Sequence, residues 1–215
     1  MESKEAPKDK RYYSHGFELT RSNLRNLTLF LSFISSLAYR IDSYSVIASF
    51  FLLSIGIFIH FVSKGTLIRN TVLCNNGIYR IVRHPYYLAN YLIDSSFCLL
   101  SGNPYLLVLY PFLFFWANGT TLQKEEKILE DIHGPFFMSY ATSVPQVFPD
   151  KRIKNNIPIW RDIFTNFSFQ LITKKEIARI LRFVSMALVI ISIHLLSFFS
   201  LKKLDLGYFF HNRGL

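Results

Sequence analysis

Two short stretches concentrate the residue types that do chemistry. The first reads Gly77-Ile78-Tyr79-Arg80-Ile81-Val82-Arg83-His84-Pro85-Tyr86-Tyr87. The second reads Glu125-Glu126-Lys127-Ile128-Leu129, followed by Gly134, Phe137, Tyr140, Val144-Pro145 and Pro149. Between them lie two apolar blocks, residues 86–101 and 104–119, divided by Gly102-Asn103-Pro104. Proline ends the helix before it and glycine tolerates the turn, so the spacing predicts a helical hairpin. A short hairpin returns the chain to the side it left. Arg83-His84-Pro85 and Glu125-Glu126 are therefore expected at one membrane face, where cations, an imidazole, tyrosines and two carboxylates converge. Polar clusters at a membrane boundary are expensive unless satisfied, which makes this one a functional candidate. Singly, each residue has an ordinary reading: the arginines as head-group contacts, His84 as a hydrogen-bonded loop histidine, the glutamates as a solvated helix start, and Tyr79, Tyr86 and Tyr87 as interface aromatics. The order and spacing together carry the functional reading.

The elements that must position these residues follow from composition. The chain has 215 residues, the size of one domain, is 51% hydrophobic and contains 22 Phe; its mean hydropathy is +0.26. The apolar residues fall in blocks, which favours a membrane protein over a soluble core. Five blocks predict an all-α polytopic fold of about five transmembrane helices with a cytoplasmic cap. Residues 1–26 form a basic N-terminal segment and 27–62 a first transmembrane hairpin turning at Arg40-Ile41-Asp42-Ser43. Residues 63–150 form the core with the second hairpin, 151–179 an amphipathic interfacial segment, and 180–215 a last span and tail. No small-residue cleavage signature follows the first block, so it is expected to remain as an anchor. Of the 24 Lys and Arg, 19 fall in the N-terminal segment, 63–85 and 120–179. By the positive-inside rule these three segments are cytoplasmic.

The net charge of +10 suggests anionic lipid head groups; no zinc-finger spacing or nucleic-acid module supports nucleic acid, and no metal is expected. Cys74 and Cys98 form no CxxC pair and read as small apolar side chains. In 158–172, Trp160, Ile163, Phe164, Phe167 and Leu171 recur at helical spacing before Lys174-Lys175. An interfacial helix with a basic edge and a stripe packed on the protein's own helices fit equally.

The string Arg83-His84-Pro85-x-Tyr87, Asn103-Pro104, Glu125-Glu126-x-x-Leu129, Gly134, Tyr140 and Val144-Pro145 resembles the isoprenylcysteine carboxyl methyltransferases and their phospholipid-methyltransferase relatives. It covers about a third of the chain, from Gly77 to Pro149. The resemblance implies an integral membrane enzyme that takes a methyl group from S-adenosylmethionine. It implies cofactor contacts from Thr71, Val72, Leu73, Cys74, Tyr79, His84, Pro85, Tyr86, Tyr87 and Glu125, and catalytic roles for His84, Arg83 and Glu125. Those types suit the donor: a carboxylate holds a cationic amino group, and an aromatic face attracts a sulfonium.

The departures bear on the acceptor. The glycine of the family's RHPxYxG is Ala89, expected to keep close helix packing, and a family tyrosine is Phe137. The prenylcysteine branch usually carries an arginine for the substrate carboxylate where this chain has Thr121, which supplies no charge. The acceptor is expected to be a lipid phosphate, including that of lipid A, a carboxylate, or a phospholipid amine. Arg80, Arg69 and Thr121 are candidate substrate contacts; with Lys64, Arg83 and Lys124 the two arginines form a basic rim that leans toward an anionic head group. Two other classes compete: an NADPH-dependent membrane lipid or sterol reductase on a related fold, and a non-catalytic membrane scaffold.

Overall fold

The computed structural model of the chain describes residues 21–67, 73–155 and 160–211. Among them the fold is all-helical: α1 (Arg21–Ala38), α2 (Ser43–Thr66), α3 (Pro85–Leu100), α4 (Pro104–His133), α5 (Pro135–Ser143), α6 (Trp160–Ile163) and α7 (Lys174–His211). Three helices, Ser43–Thr66, Pro104–His133 and Lys174–Ser197, are long and apolar enough to cross a membrane.

Helix α3 explains why the other predicted spans look different. Its 16 residues reach only about 24 Å, short of the ~30 Å hydrocarbon core. Twelve of those residues are buried, including Asn90, Asp94, Ser95 and Ser96. It packs on α1, α2, α4 and α7, so its surroundings are protein rather than lipid and its sequence need not be lipophilic. Leu29, Ile93, Phe97, Phe183 and Ile190 join α1, α3 and α7; Leu24, Leu88, Tyr110 and Phe114 join α1, α3 and α4. The outward faces are apolar, as with Phe50 and Phe51 on α2, Phe112 and Trp116 on α4, and Leu188 on α7. Apolar patches of that extent mark a surface covered by lipid.

Close approach of α2 to α3 depends on small residues. A Cβ at Gly56 would lie 2.7 Å from Ile93 Cγ1 and 3.1 Å from the Ala89 carbonyl oxygen. Ala89 is fully buried there, so alanine in place of the family's glycine still allows the contact. At the far end both hairpin turns meet. Gly102 takes φ +71 with its Cα facing the Arg40 carbonyl, which a Cβ would approach to 2.7 Å. The Asn103 side chain caps α4 by accepting from the Tyr105 and Leu106 amides and donates to Ser35 Oγ at 3.0 Å.

Several boundaries differ from the sequence expectations. Helix α1 begins at Arg21, six residues before the first apolar block, and brings Arg25 inside the bundle. There Arg25 Nε lies 3.3 Å from Asp94 Oδ1, and the Tyr110 hydroxyl donates to the same carboxylate at 2.9 Å. Helix α4 continues to His133, about 45 Å in all, and carries its charged end past the apolar stretch. The helical spacing over 158–172 yields no continuous helix: α6 stops at Ile163 and Asn166 turns at φ +62. Phe167 then lies on Gly65, and the Ser168 amide donates to the Gly65 carbonyl at 2.8 Å. Ile163 and Phe167 pack on the protein's own helices, whereas Phe164 and Phe169 face outward.

Candidate active site

His84 is the N-cap of α3, and Pro85 occupies the first turn, where a missing amide hydrogen costs nothing. The loop before it is shaped by Gly77, at φ +58, against the Ile163 carbonyl, 2.8 Å from where a Cβ would sit. From the other side the chain after α5 returns alongside: the Arg83 amide donates to the Pro145 carbonyl (2.8 Å) and the His84 amide to the Gln146 carbonyl (2.9 Å). Helix α4 then presents Glu125 and Glu126. His84 Nε2 lies 3.3 Å from Glu126 Oε1 and Nδ1 lies 3.9 Å from Glu125 Oε2. The hairpin thus unites the imidazole and both carboxylates, as its geometry predicts.

Arg83 is a clasp at this junction. Its Nε and Nη2 donate to Glu126 Oε1 at 2.9 and 2.6 Å, and Nη1 donates to the carbonyls of Ala141 and Val144. A planar fork reaching a carboxylate and two carbonyls at once is a task for arginine and not lysine. The guanidinium is engaged by the protein itself, so Arg83 ties the start of α3 to α4 and the end of α5. Glu125 differs in being 40% exposed, enough to meet a ligand.

The other expected site residues fall into two neighbouring groups. Leu73 and Arg80 line a cavity of about 300 Å³ with Asn75, Ser139, Tyr140 and Val144, at the lower end for small-molecule sites. The Tyr140 hydroxyl donates to the Tyr79 carbonyl at 2.6 Å, and the Tyr79 hydroxyl donates to the Ser63 carbonyl at 3.3 Å. Burial raises the Tyr140 hydroxyl far above its usual range. Burial also pushes the Cys74 thiol up to about 11, which keeps it a neutral thiol near pH 7. Tyr86 and Tyr87 continue from His84 as a row of edge-on rings, 5.7 Å from His84 to Tyr87 and 6.5 Å from Tyr87 to Tyr86. Thr121 lies one helical turn before Glu125 on α4. Arg69, Thr71 and Val72 lie outside the described residues.

These groups fit a methyl donor with a cationic amino acid end. Glu125 offers a partly exposed carboxylate, the tyrosines and His84 offer ring faces and edges, and the adjoining cavity carries polar walls from Asn75 and Arg80. Two charged sets were not signalled by the motifs. One is Arg25–Asp94–Tyr110 inside the bundle; the other is His60, Lys64, Glu176 and Arg179 around Tyr86. A carboxylate in the middle of an apolar block and a histidine near the end of another were the available signals.

A helical bundle with apolar outer faces and three helices long and apolar enough to cross a bilayer has the make-up of a membrane protein. Residues 29–135 match the sequence model of the phospholipid methyltransferase family (PEMT). No curated protein and no solved structure matches the chain. The match runs from α1 through α4 and stops at Pro135, so α5, the 160–171 strap and α7 lie beyond it.

Proposed function

We propose that the chain transfers a methyl group from S-adenosylmethionine to a lipid head group, the acceptor being an anionic oxygen of a phosphate or carboxylate or a phospholipid amine. The observation that carries this reading is His84 held between Glu125 and Glu126 at the end of the α3–α4 hairpin, in a chain whose residues 29–135 match the phospholipid methyltransferase model. The cofactor supplies an activated methyl group on a sulfonium. Glu125 binds its ammonium group. His84, fixed by Glu126, and the row Tyr87–Tyr86 form the polar and aromatic wall beside it. Arg83 positions His84 and Glu126 through its four donated hydrogen bonds. Positioning an acceptor in line with the methyl group supplies much of the rate gain in such a displacement.

On this reading α1, α2, α3, α4 and α7 all lie in the membrane, with α3 wrapped by the other four. The N-terminal segment and the end bearing Glu125 face the cytoplasm, in keeping with the distribution of Lys and Arg. The test is calorimetry of S-adenosylmethionine binding to the purified chain in detergent. Glu125→Ala and His84→Ala are measured alongside, with NADPH as comparison ligand. Saturable binding of S-adenosylmethionine, weakened at least about tenfold in both variants, is expected. Binding of NADPH in its place assigns a reductase, and a folded protein that binds neither removes the enzymatic reading.

A further inference from the structure

Beyond the matched residues, α7 delivers two charged residues to Tyr86. The Glu176 carboxylate sits between three groups: His60 Nε2 lies 3.0 Å from Oε2, Lys64 Nζ lies 3.4 Å from Oε1, and Arg179 Nη1 lies 2.8 Å from Oε2. Arg179 Nη1 also donates to the Tyr86 hydroxyl at 2.9 Å. Lys64 Nζ stands 4.1 Å from the centroid of the same ring, and the His60 ring lies 5.2 Å from it. Within this set two cations face one carboxylate, so it carries at least one surplus positive charge whichever protonation state His60 takes. The side chains are largely withdrawn from solvent, at 16% exposure for Lys64 and 13% for Glu176. Such a charge calls for a counter-ion. His60 is fully buried, and its Nδ1 has no hydrogen-bond partner among the described residues.

The surroundings specify the counter-ion's chemistry. Arg179 is 33% exposed; the opposite face of α7 carries the exposed apolar side chains Ile177 and Leu181, and Phe58 on α2 is also exposed. The site is thus a partly open cationic spot beside helices whose outer faces are apolar, at the end of the bundle that holds His84 and Glu125. An anion that fits both is an oxyanion with acyl chains attached. The ring row Tyr86–Tyr87–His84 spans the interval from this spot to the carboxylates.

We propose that Lys64 and Arg179, poised by Glu176 around Tyr86, form a subsite for the phosphate group of the acceptor lipid. The assignment rests on the methyltransferase reading for calling that lipid the acceptor; the phosphate site itself does not require it. Glu176 holds the two cations in place while the subsite is empty and competes with the phosphate for them. This makes opposite predictions for its partners: removing a cation weakens the lipid, and neutralising Glu176 tightens it.

The experiment is native mass spectrometry of the full chain in dodecyl maltoside, which carries no phosphate. It is titrated with phosphatidylglycerol, with diacylglycerol of the same chains, and with glycerol 3-phosphate. Phosphatidylglycerol is expected to bind at least about tenfold tighter than diacylglycerol. Lys64→Gln and Arg179→Gln should each reduce that preference by about tenfold, Lys64→Arg should retain it, and Glu176→Gln should increase it by about threefold. Circular dichroism melting of every variant separates lost binding from lost folding, and Glu176→Gln keeps an acceptor for His60. Equal binding of the two lipids overturns the proposal. So does Glu176→Gln weakening the lipid as the cation variants do, which marks a purely structural clasp. Glycerol 3-phosphate binding as tightly as the lipid assigns a soluble phosphate and also overturns it. S-adenosylmethionine binding on the same samples is read separately: its absence in the wild-type chain removes the enzymatic reading and leaves the lipid result standing.

Discussion

Replacing Arg83 with methionine tests whether this arginine positions the site through burial and hydrogen bonding. Its side chain is 9% exposed and that of Glu126 21%, so the pair lies well below the surface regime, in which an ion pair contributes about 0–1 kcal/mol. Arg83→Met keeps the apolar stem and removes four donated hydrogen bonds, two to Glu126 and two to the carbonyls of Ala141 and Val144. Removing one partner of a buried pair costs about 3–5 kcal/mol. The partial exposure of Glu126 lets water reach the stranded carboxylate, which puts the expectation near the lower end, about 3 kcal/mol. Arg83→Lys should fall between, at about 1.5 kcal/mol, because an ammonium cannot reach the carboxylate and both carbonyls together. Adding Glu126→Leu to Arg83→Met removes the stranded charge, so the double variant should be more stable than the sum of the single changes by about 2 kcal/mol. The assay is equilibrium unfolding by dodecyl sulfate in mixed micelles, followed by circular dichroism. A cost below about 1 kcal/mol for Arg83→Met, or additivity within about 0.5 kcal/mol, would refute the clasp and return Arg83 to the exposed groups available for chemistry.

Two further outcomes follow from packing and from titration. Gly56→Ala should destabilise the chain by about 1–3 kcal/mol in the same assay, because the new methyl group meets Ile93 and the Ala89 carbonyl at once; a neutral result would mean that α2 and α3 are not held at that spacing. Cys74 should react with maleimide only slowly at pH 7.5 and about tenfold faster per pH unit up to pH 11, as followed by peptide mapping. Its thiol is raised from 9.0 to about 11, so the folded state holds the proton more tightly; this contribution to stability is full below pH 9 and is lost as pH rises through 11.

The face shared by His84 and the glutamates was legible because it depends on few quantities. A turn of known composition between two apolar blocks of similar length brings their outer ends together, whatever the surrounding helices do. The role of Ala89 came from the resemblance, whose glycine at that position implies close helix packing that alanine, the next smallest residue, still allows. The boundaries were less legible. Hydropathy records where apolar residues stop, whereas a helix continues as long as its backbone is satisfied; α1 therefore starts at Arg21 and α4 runs on to His133. In 158–172 the helical spacing of Ile163, Phe164 and Phe167 gave way to a turn at Asn166, where tertiary contacts of Phe167 with Gly65 and Phe61 outweigh a short helix's weak propensity.

Composition and spacing alone pointed to a helical membrane chain and to one face shared by His84 and the two glutamates, and the ordered motif string resembles that of the lipid methyltransferases. Those are properties of periodicity and order along the chain. The tertiary structure decided which charges meet. Arg25 finds Asp94 across 69 positions, and His60 finds Glu176 across 116. It also decided that Arg83 turns toward Glu126 and the end of α5 while Glu125 remains partly exposed. Partner choice among distant charges follows from helix packing, because in a low-dielectric bundle a few ångströms of separation decide whether a buried ion is compensated. No local pattern in the sequence encodes that separation.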